Sequence, residues 1–213
     1  MSSEGVFIVF EGGDGVGKTT QVERLCSWLA STGREVVRTF EPGDTAVGAR
    51  IRRIVLDPAT GDLAPRAEAL LYAADKAHHL YEVVLPALRQ GAVVVCDRYV
   101  DSMLAYQGAG RVLQLAELEE VARWATEGLR PQLTVVLDVH PHRAVHEKAD
   151  HDRVEAAGAV FHERARHYFL ELAGRDPGRY LVLDARASRD EIAARVSERV
   201  QQLLSVPAGT LDP

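Results

Sequence analysis

The sequence contains no asparagine, only two cysteines in 213 residues, no excess of positive charge and no long apolar run. Its net charge of −6, from 25 Lys and Arg against 31 Asp and Glu, argues against a dedicated nucleic-acid binder. Cys26 and Cys96 are too few for a disulfide framework, and their apolar neighbours predict two buried thiols. No apolar run reaches the roughly 18 residues of a membrane span, and Met1–Gly5 lacks the basic segment of a signal peptide. We therefore expect a cytoplasmic protein that binds neither nucleic acid nor a membrane.

Short apolar runs alternate with helix-length segments along the chain. The runs are rich in Val, Leu and Ile and predict strands at 6–10, 35–40, 92–96, 133–137 and 180–183. Because these strands are apolar on both faces, helices must cover both faces of the sheet that they form. The helices are predicted at 19–31, 66–89, 115–127, 155–172 and 189–204, and Pro86 is expected to bend or restart the second of them. This alternation predicts an α/β fold, a three-layer sandwich around a five-stranded parallel sheet.

The length suits one domain, which we expect over residues 1–205, followed by a loose tail at 206–213. The stretch 140–152 is unusual, because it holds His140, His142, His146 and His151 among charged residues with little apolar content. A zinc cluster is one interpretation of these histidines. No cysteine lies nearby and the spacing matches no familiar zinc site, so we favour a mobile polar segment.

The segment Gly12–Thr19 fits the pattern G-x-x-x-x-G-K-[ST], directly after the first predicted strand and at the start of the first predicted helix. Glycines let the backbone turn tightly and bring N–H groups close to phosphate oxygens, and the helix N-terminus adds partial positive charge. Lys18 can reach the β- and γ-phosphates, and the Thr19 hydroxyl can ligate Mg²⁺. The segment therefore predicts a nucleoside triphosphate site, formed by Gly12, Gly13, Asp14, Gly15, Val16, Gly17, Lys18, Thr19 and Thr20.

A phosphate loop alone leaves several classes of protein open. A GTP-dependent switch usually reads guanine with an Asn-Lys-x-Asp motif, which a chain without asparagine does not contain. Motor and transporter ATPases are usually larger than this chain. A small phosphotransferase fits the length best, and a regulatory ATPase remains the alternative from another class.

A second charged site is predicted where the third strand ends. Asp97 and Arg98 follow the apolar run 92–96, at the end where open α/β sheets bind ligands. Arg98 can grip an acceptor phosphate with its two-pronged guanidinium group, and Asp97 can position Mg²⁺ through water. A structural Asp–Arg pair is the alternative. The functional interpretation requires that the two phosphate pockets face each other closely.

With these residues in place, the chain resembles the thymidylate kinases (dTMP kinases) of bacterial type, within the P-loop nucleoside monophosphate kinases. The resemblance extends from about residue 6 to residue 204 and rests on several separate motifs in the family's order. These are the phosphate loop at 10–21, Glu-Pro-Gly at 41–43, the helix segment 70–76, the acceptor segments 97–102 and 105–108, and the end of the lid at 152–155.

The resemblance implies transfer of the γ-phosphoryl group of ATP to dTMP, with Mg²⁺ as cofactor and a homodimer as the assembly. It implies catalytic roles for Asp14, Lys18, Arg98 and Arg153, and metal contacts through Thr19 and Asp97. The implied acceptor site comprises Asp14, Glu41, Pro42, Tyr72, Lys76, Asp97, Arg98, Ser102, Tyr106 and Gln107.

The resemblance also assigns individual roles. Tyr72 would stack on thymine, Tyr106 would crowd the 2′ position of the sugar, and Gln107 would meet the base edge. Ordinary core packing is the alternative for both tyrosines. Some relatives carry an arginine where this chain has Gly15, so a lid at about 140–155 would supply the cation, from Arg153 or else from Lys148 or Arg143.

Two departures concern the base. Lys76 stands where the family usually has an arginine, and Met103 stands where a small polar residue is common. A lysine still donates to an oxygen but loses the forked geometry of arginine. Another nucleoside or nucleotide kinase with a shifted acceptor is therefore the alternative within enzymes.

Overall fold

The computed structural model describes residues 5–109, 113–140 and 158–205. Five parallel strands form one sheet in the order β2-β3-β1-β4-β5; they are β1 (Val6–Gly12), β2 (Val36–Phe40), β3 (Val93–Asp97), β4 (Leu133–Asp138) and β5 (Tyr180–Asp184). The all-parallel sheet with helices around it confirms the predicted α/β class. The first strand lies at the centre between β3 and β4, so its carboxyl end opens onto the crevice where such sheets bind ligands.

Helices cover both faces of the sheet. They are α1 (Lys18–Ser31), α2 (Ala46–Leu56), α3 (Pro65–His79), α4 (Leu85–Arg89), α5 (Val100–Met103), α6 (Leu115–Ala125), α7 (Ala159–Arg175) and α8 (Arg189–Ser205). Alternate residues of β1 face opposite layers: Ile8 packs in the cluster that includes α1 and α8, and Phe7 packs with α4 and Tyr99. Burial on both faces explains why β1, β3 and β4 are apolar without alternation. The edge strands β2 and β5 are only partly buried and each has exposed residues, contrary to the expectation that all five strands are covered on both faces.

The sequence prediction missed three helical segments. They are α2, a 3₁₀ turn at Pro58–Thr60, and the stretch Val100–Ala109, where α5 continues into a π-helical turn at Leu104–Ala109. The second predicted helix contains a π-helical turn at Leu80–Val84, which ends two positions before Pro86. Pro86 lacks the N–H that would bond to the preceding turn, which accounts for an irregularity near it. The backbone stays helical at His79, Leu80, Val84 and Leu85, so the helix continues through the π-helical turn and does not restart at Pro86.

Smaller differences between prediction and structure concern the ends of one helix and the burial of the two cysteines. Helix α7 begins at Ala159 and ends at Arg175, so it runs further than predicted at its C-terminal end; the predicted start at 155–157 lies outside the described residues. Cys96 is buried as expected, whereas Cys26 is only partly buried.

Two expected segments also lie outside the described residues. They are 141–157, which includes most of the expected lid, and the expected tail 206–213. No helix in the described part of the chain is both long and apolar enough to cross a membrane.

Candidate active site

The phosphate loop lies where β1 ends and α1 begins, as the sequence predicted. Gly12 must lack a side chain because a Cβ there would run into the main-chain oxygen of Leu137 on the neighbouring strand. Gly17 precedes α1 with φ 97°, in the left-handed region that favours glycine. The first turn of α1 itself carries no acidic side chain, so its positive end stays favourable for an anion. The loop is therefore built to approach an anion with its backbone.

Lys18 lies inside this loop. Its Nζ donates to the carbonyl oxygens of Gly12 at 3.1 Å and Gly13 at 2.5 Å. Burial disfavours its charge and Arg98 repels it, so the pKa of Lys18 falls to about 8. The ammonium group is still largely protonated at pH 7, and it is held where phosphate oxygens would meet it.

The two residues expected to contact a metal lie together. The Thr19 hydroxyl donates to Asp97 Oδ2 at 2.8 Å, which joins the first turn of α1 to the end of β3. A hydroxyl and a carboxylate are hard oxygen donors of the kind that Mg²⁺ prefers. Among the described residues no group of three or more His, Cys, Asp or Glu side chains could hold a metal ion. The pair therefore suits an ion that takes its other ligands from phosphate and water.

Arg98 connects the two predicted sites. Its Nη2 donates to Asp14 Oδ1 of the phosphate loop at 2.5 Å, and its Nη1 donates to Ser102 Oγ at 2.8 Å. Burial alone would raise the pKa of Asp14, but the charges of Arg98 and Lys18 outweigh it, so that pKa lies below its usual value. The backbone of Arg98 adopts φ 71°, a conformation that non-glycine residues hold only where their surroundings enforce it.

A cavity of about 90 Å³ opens beside Arg98. Nine of the ten predicted acceptor-site residues line it: Asp14, Glu41, Pro42, Tyr72, Lys76, Arg98, Ser102, Tyr106 and Gln107. The tenth, Asp97, points instead to Thr19. These nine residues lie in the loops that follow β1 and β2, in α3 and in the stretch after β3, and the sequence analysis had placed all of them in one site.

A second cavity of about 40 Å³ lies between the phosphate loop and α7. Asp14 and Tyr106 line both cavities, so the two lie on either side of this pair. Lys18 is not among the residues that line either cavity, so the expectation that the two phosphate pockets face each other stays a prediction.

The aromatic and amide residues of the acceptor cavity also pack against the core. Tyr106 lies below the guanidinium group of Arg98, 5.2 Å from its carbon to the ring centroid, and stands edge-on to Phe169 at 6.1 Å. Gln107 Nε2 donates to Glu68 Oε1 at 3.2 Å, which orients the amide. Tyr106 is thus both packed and cavity-lining, so its two interpretations are compatible.

Glu41 is the centre of a buried charged network. One oxygen accepts from Lys76 Nζ at 2.5 Å, and the other lies 2.7 Å from His79 Nδ1. Burial would raise the pKa of Glu41, but Lys76 and His79 outweigh it, so the pKa lies below its usual value. Burial would likewise lower the pKa of Lys76, but Glu41 raises it above normal. Lys76, expected to meet the base, is thus also held by a carboxylate.

We expect Glu41→Gln to destabilise the protein by about 3–5 kcal/mol at pH 7, because it leaves the Lys76 ammonium buried without its counter-ion. The folded-state pKa of Glu41 lies below its unfolded value of 4.5, so its contribution is present above pH 4.5 and is lost as the pH falls through the folded value. The difference from wild type should therefore shrink in acid.

Urea unfolding of both proteins at pH 7 and at pH 3 measures the difference in their free energies of unfolding. The matched control is Glu120→Gln, which removes an exposed ion pair with Arg123 and should cost less than about 1 kcal/mol. An equal difference between Glu41→Gln and wild type at both pH values would contradict the assignment.

The sequence analysis missed several residues of the site. Arg52 lines the acceptor cavity and donates to the carbonyl oxygen of Pro42 at 2.7 Å, but it belongs to the unpredicted helix α2. A signal was present, since Thr45 caps this helix and Ile51 and Val55 recur at helical spacing on its buried side. His79 and Glu68 gave no such signal, because each acts through a partner far away in sequence.

Three lid residues fall outside the described part of the chain. They are Arg153, Lys148 and Arg143, the expected lid cations. Of the four clustered histidines only His140 is described, and its Nε2 lies 3.6 Å from Glu163 Oε2.

Comparison with known proteins identifies the family. The family model for thymidylate kinase matches residues 10–196. The thymidylate kinase of Cutibacterium acnes is 57% identical over 201 residues, which cover 94% of this chain and 98% of that protein. That of Deinococcus radiodurans is 47% identical over 203 residues, with 94% and 98% covered. The crystal structure of thymidylate kinase from Ehrlichia chaffeensis superposes with a TM-score of 0.77 at 27% identity, covering 93% of this chain and 99% of that one.

Proposed function

The chain belongs to the thymidylate kinase family, and from this membership we propose that it transfers the γ-phosphoryl group of ATP to dTMP, giving ADP and dTDP. An oxygen of the dTMP phosphate forms a bond to the γ-phosphorus while the bond from that phosphorus to the bridging oxygen of ADP breaks. The single observation that supports this chemistry best is the contact of Arg98 with Asp14, which joins the acceptor site to the phosphate loop.

The described residues divide the work between donor and acceptor. Backbone N–H groups of the loop and Lys18 hold the phosphates of ATP, and Arg98 holds the phosphate of dTMP. The Asp14 carboxylate attracts both cations, which offsets the repulsion between them, and it orients Arg98 through their hydrogen bond. Since phosphoryl transfer needs alignment and charge neutralisation more than covalent chemistry, these positions suffice for most of the protein's contribution.

Mg²⁺ is proposed as the cofactor, held through Thr19 and Asp97; when bound it would neutralise charge on the phosphate oxygens. Tyr72, Tyr106, Gln107 and Lys76 are proposed to surround the nucleoside of dTMP. We also propose one domain over 1–205 with a lid at about 140–155, in which Arg153 supplies a further cation.

A homodimer is proposed from the family resemblance, with an interface at a groove of about 120 Å³ between α3 and α6. The groove has an apolar centre, and Arg66, Gln114 and Glu117 also line it. Ala69, Leu70, Leu118 and Val121 line it, and Leu70 is 58% exposed. A second copy of the chain would cover this surface, and a monomeric mass in solution would contradict that. A cytoplasmic location is proposed because both cysteines are free thiols, as in reducing compartments.

The test measures ADP release from ATP in a coupled spectrophotometric assay, with a panel of nucleotides offered as acceptors. We expect dTMP to stimulate release most strongly, with dUMP weaker by a factor of about 10 to 200 because one methyl group is worth about 1–3 kcal/mol. Cytosine nucleotides should be rejected more strongly, since buried donors would go unpaired. Preference for dCMP or UMP would keep the reaction class and overturn the substrate, and ADP release unchanged by any acceptor would overturn the kinase.

A further inference from the structure

Glu11 is a fully buried carboxylate directly before the phosphate loop, and no role described so far uses it. Its Oε1 accepts the backbone N–H of Tyr99 at 2.9 Å and that of Ser102 at 3.1 Å. Its Oε2 accepts the Ser102 hydroxyl at 2.5 Å. All three bonds cross from β1 to the segment that follows β3.

These bonds anchor the start of α5. The first N–H groups of a helix have no partner within the helix, and a carboxylate is a strong acceptor for them. The helix continues into the π-helical turn Leu104–Ala109, so the segment held by Glu11 also carries Tyr106 and Gln107 of the acceptor cavity. Glu11, a single side chain of the central strand β1, thus anchors the segment that supplies Tyr106 and Gln107 to the acceptor cavity.

The same contacts form a chain of hydrogen bonds that begins at Glu11 and returns to the phosphate loop at Asp14, which we call the circuit. Glu11 accepts from Ser102, Ser102 accepts from Arg98, and Arg98 donates to Asp14. Glu11 and Asp14 are only three positions apart on the chain, so the circuit returns to its origin. The left-handed backbone of Arg98 at φ 71° sits inside this circuit, where its surroundings must enforce it.

We propose that Glu11 is a positioning residue for phosphoryl transfer, which sets the placement of Arg98 and Ser102 relative to the phosphate loop. It does not line the acceptor cavity, so it acts through these two residues rather than on the substrate. The inference rests on the proposed dTMP kinase activity, because Arg98 is assigned there to the acceptor phosphate.

Burying the carboxyl group of Glu11 has an electrostatic cost. Burial and the negative charge of Asp101 raise the pKa of Glu11 to about 7, against the opposing effects of Arg98, the Ser102 hydroxyl and the Tyr99 N–H. A carboxylate at this position is costly to bury, and an apolar side chain would avoid the cost but leave the donors of Tyr99 and Ser102 without an acceptor.

The decisive variant is Glu11→Gln, which keeps the volume and one acceptor oxygen. Its amide NH₂ can point at Ser102 Oγ, which already accepts from Arg98, and the Ser102 hydroxyl proton then loses its acceptor. We expect the KM for dTMP to rise about tenfold and kcat to fall severalfold, while the KM for ATP stays within about twofold. Glu11→Asp, which withdraws the carboxylate by one methylene, should shift the same constants in the same direction and serves if the glutamine variant does not fold.

The matched control is Tyr180→Phe. The Tyr180 hydroxyl donates to Asp101 Oδ2 at 2.7 Å, so this change also removes one hydrogen bond to α5 but touches neither Arg98 nor Ser102. It should lower stability to urea without a selective rise in the KM for dTMP. If Glu11→Gln behaves like Tyr180→Phe, or raises the two KM values together, Glu11 is merely structural and the proposal is wrong.

A double-mutant cycle with Ser102→Ala tests the route of action. Because Glu11 acts partly through the Ser102 hydroxyl, Glu11→Gln should raise the KM for dTMP several times less in the Ser102→Ala background than in wild type. Equal effects in both backgrounds would overturn this route.

The two hypotheses fail differently. A wild-type enzyme that releases no additional ADP with dTMP overturns the proposed function, whereas an active wild type with an unchanged Glu11→Gln overturns only the role of Glu11. Calorimetric binding of dTMP to both proteins in the absence of ATP tests Glu11 independently of turnover; equal affinities would contradict the proposal.

Discussion

Replacement of Lys18 by alanine is expected to lower kcat by about a thousandfold, equivalent to about 4 kcal/mol of transition-state stabilisation. The ammonium group is held inside the phosphate loop by Gly12 and Gly13, where it would meet the phosphates of ATP. No other described cation occupies this loop, so the charge that develops on the transferred group would lose its nearest partner there.

This variant should lose activity without losing stability. Burial lowers the pKa of Lys18 to about 8, below its ordinary value of 10.5, so folding works against its charge instead of gaining from it. Urea unfolding should therefore show an equal or higher midpoint for Lys18→Ala. The control is Arg24→Ala on the same helix, where Arg24 pairs with Asp190 near the surface and should leave kcat unchanged. A kcat for Lys18→Ala within tenfold of wild type would contradict the role.

Replacement of Arg98 by alanine is expected to lower kcat/KM for dTMP by a factor of about 100 to 1,000, because the acceptor phosphate loses a two-pronged, charge-assisted partner. Slow ATP hydrolysis without dTMP should change by less than about threefold, since Lys18 and the backbone of the loop remain. Arg98→Lys should recover only part of the loss, because an ammonium group lacks the fork that reaches Asp14 and Ser102 together.

Measuring both activities in both variants separates the two sites. ADP release is followed with and without dTMP for Lys18→Ala, Arg98→Ala and the control Arg24→Ala. An equal loss of acceptor-independent hydrolysis in the first two variants would show that Arg98 serves ATP as well, and would overturn the division between donor and acceptor sites.

The buried pair of Lys76 and Glu41 shows that the sequence can place two residues in a site without revealing that they contact each other. Lys76 and Glu41 were both placed in the acceptor site from the sequence, and both line the cavity. Their mutual contact at 2.5 Å, and the part that His79 plays in it, emerged only in the fold. Lys76 consequently has two tasks, since it neutralises a buried carboxylate and is proposed to donate to the base.

Helix α2 illustrates the opposite failure, in which a local signal existed and was missed. Thr45 is a common N-cap residue just before the helix, and its side chain accepts from the N–H of Gly48. Arg52 reaches the acceptor cavity from this helix. The helical stretch Val100–Ala109 was harder to predict from the sequence. A four-residue helix followed by a π-helical turn has no regular apolar period.

The sequence alone determined the features whose causes are local. The phosphate loop is one contiguous segment whose glycines, lysine and threonine carry their chemistry in their order, and apolar runs of about five residues are enough to specify buried parallel strands. The tertiary structure decided everything that depends on distant partners, such as Arg98 against Asp14 across 84 positions and Glu11 against Ser102 across 91. Those contacts arise because β1 and β3 are neighbours in the sheet, and strand order is a property of the whole packed chain.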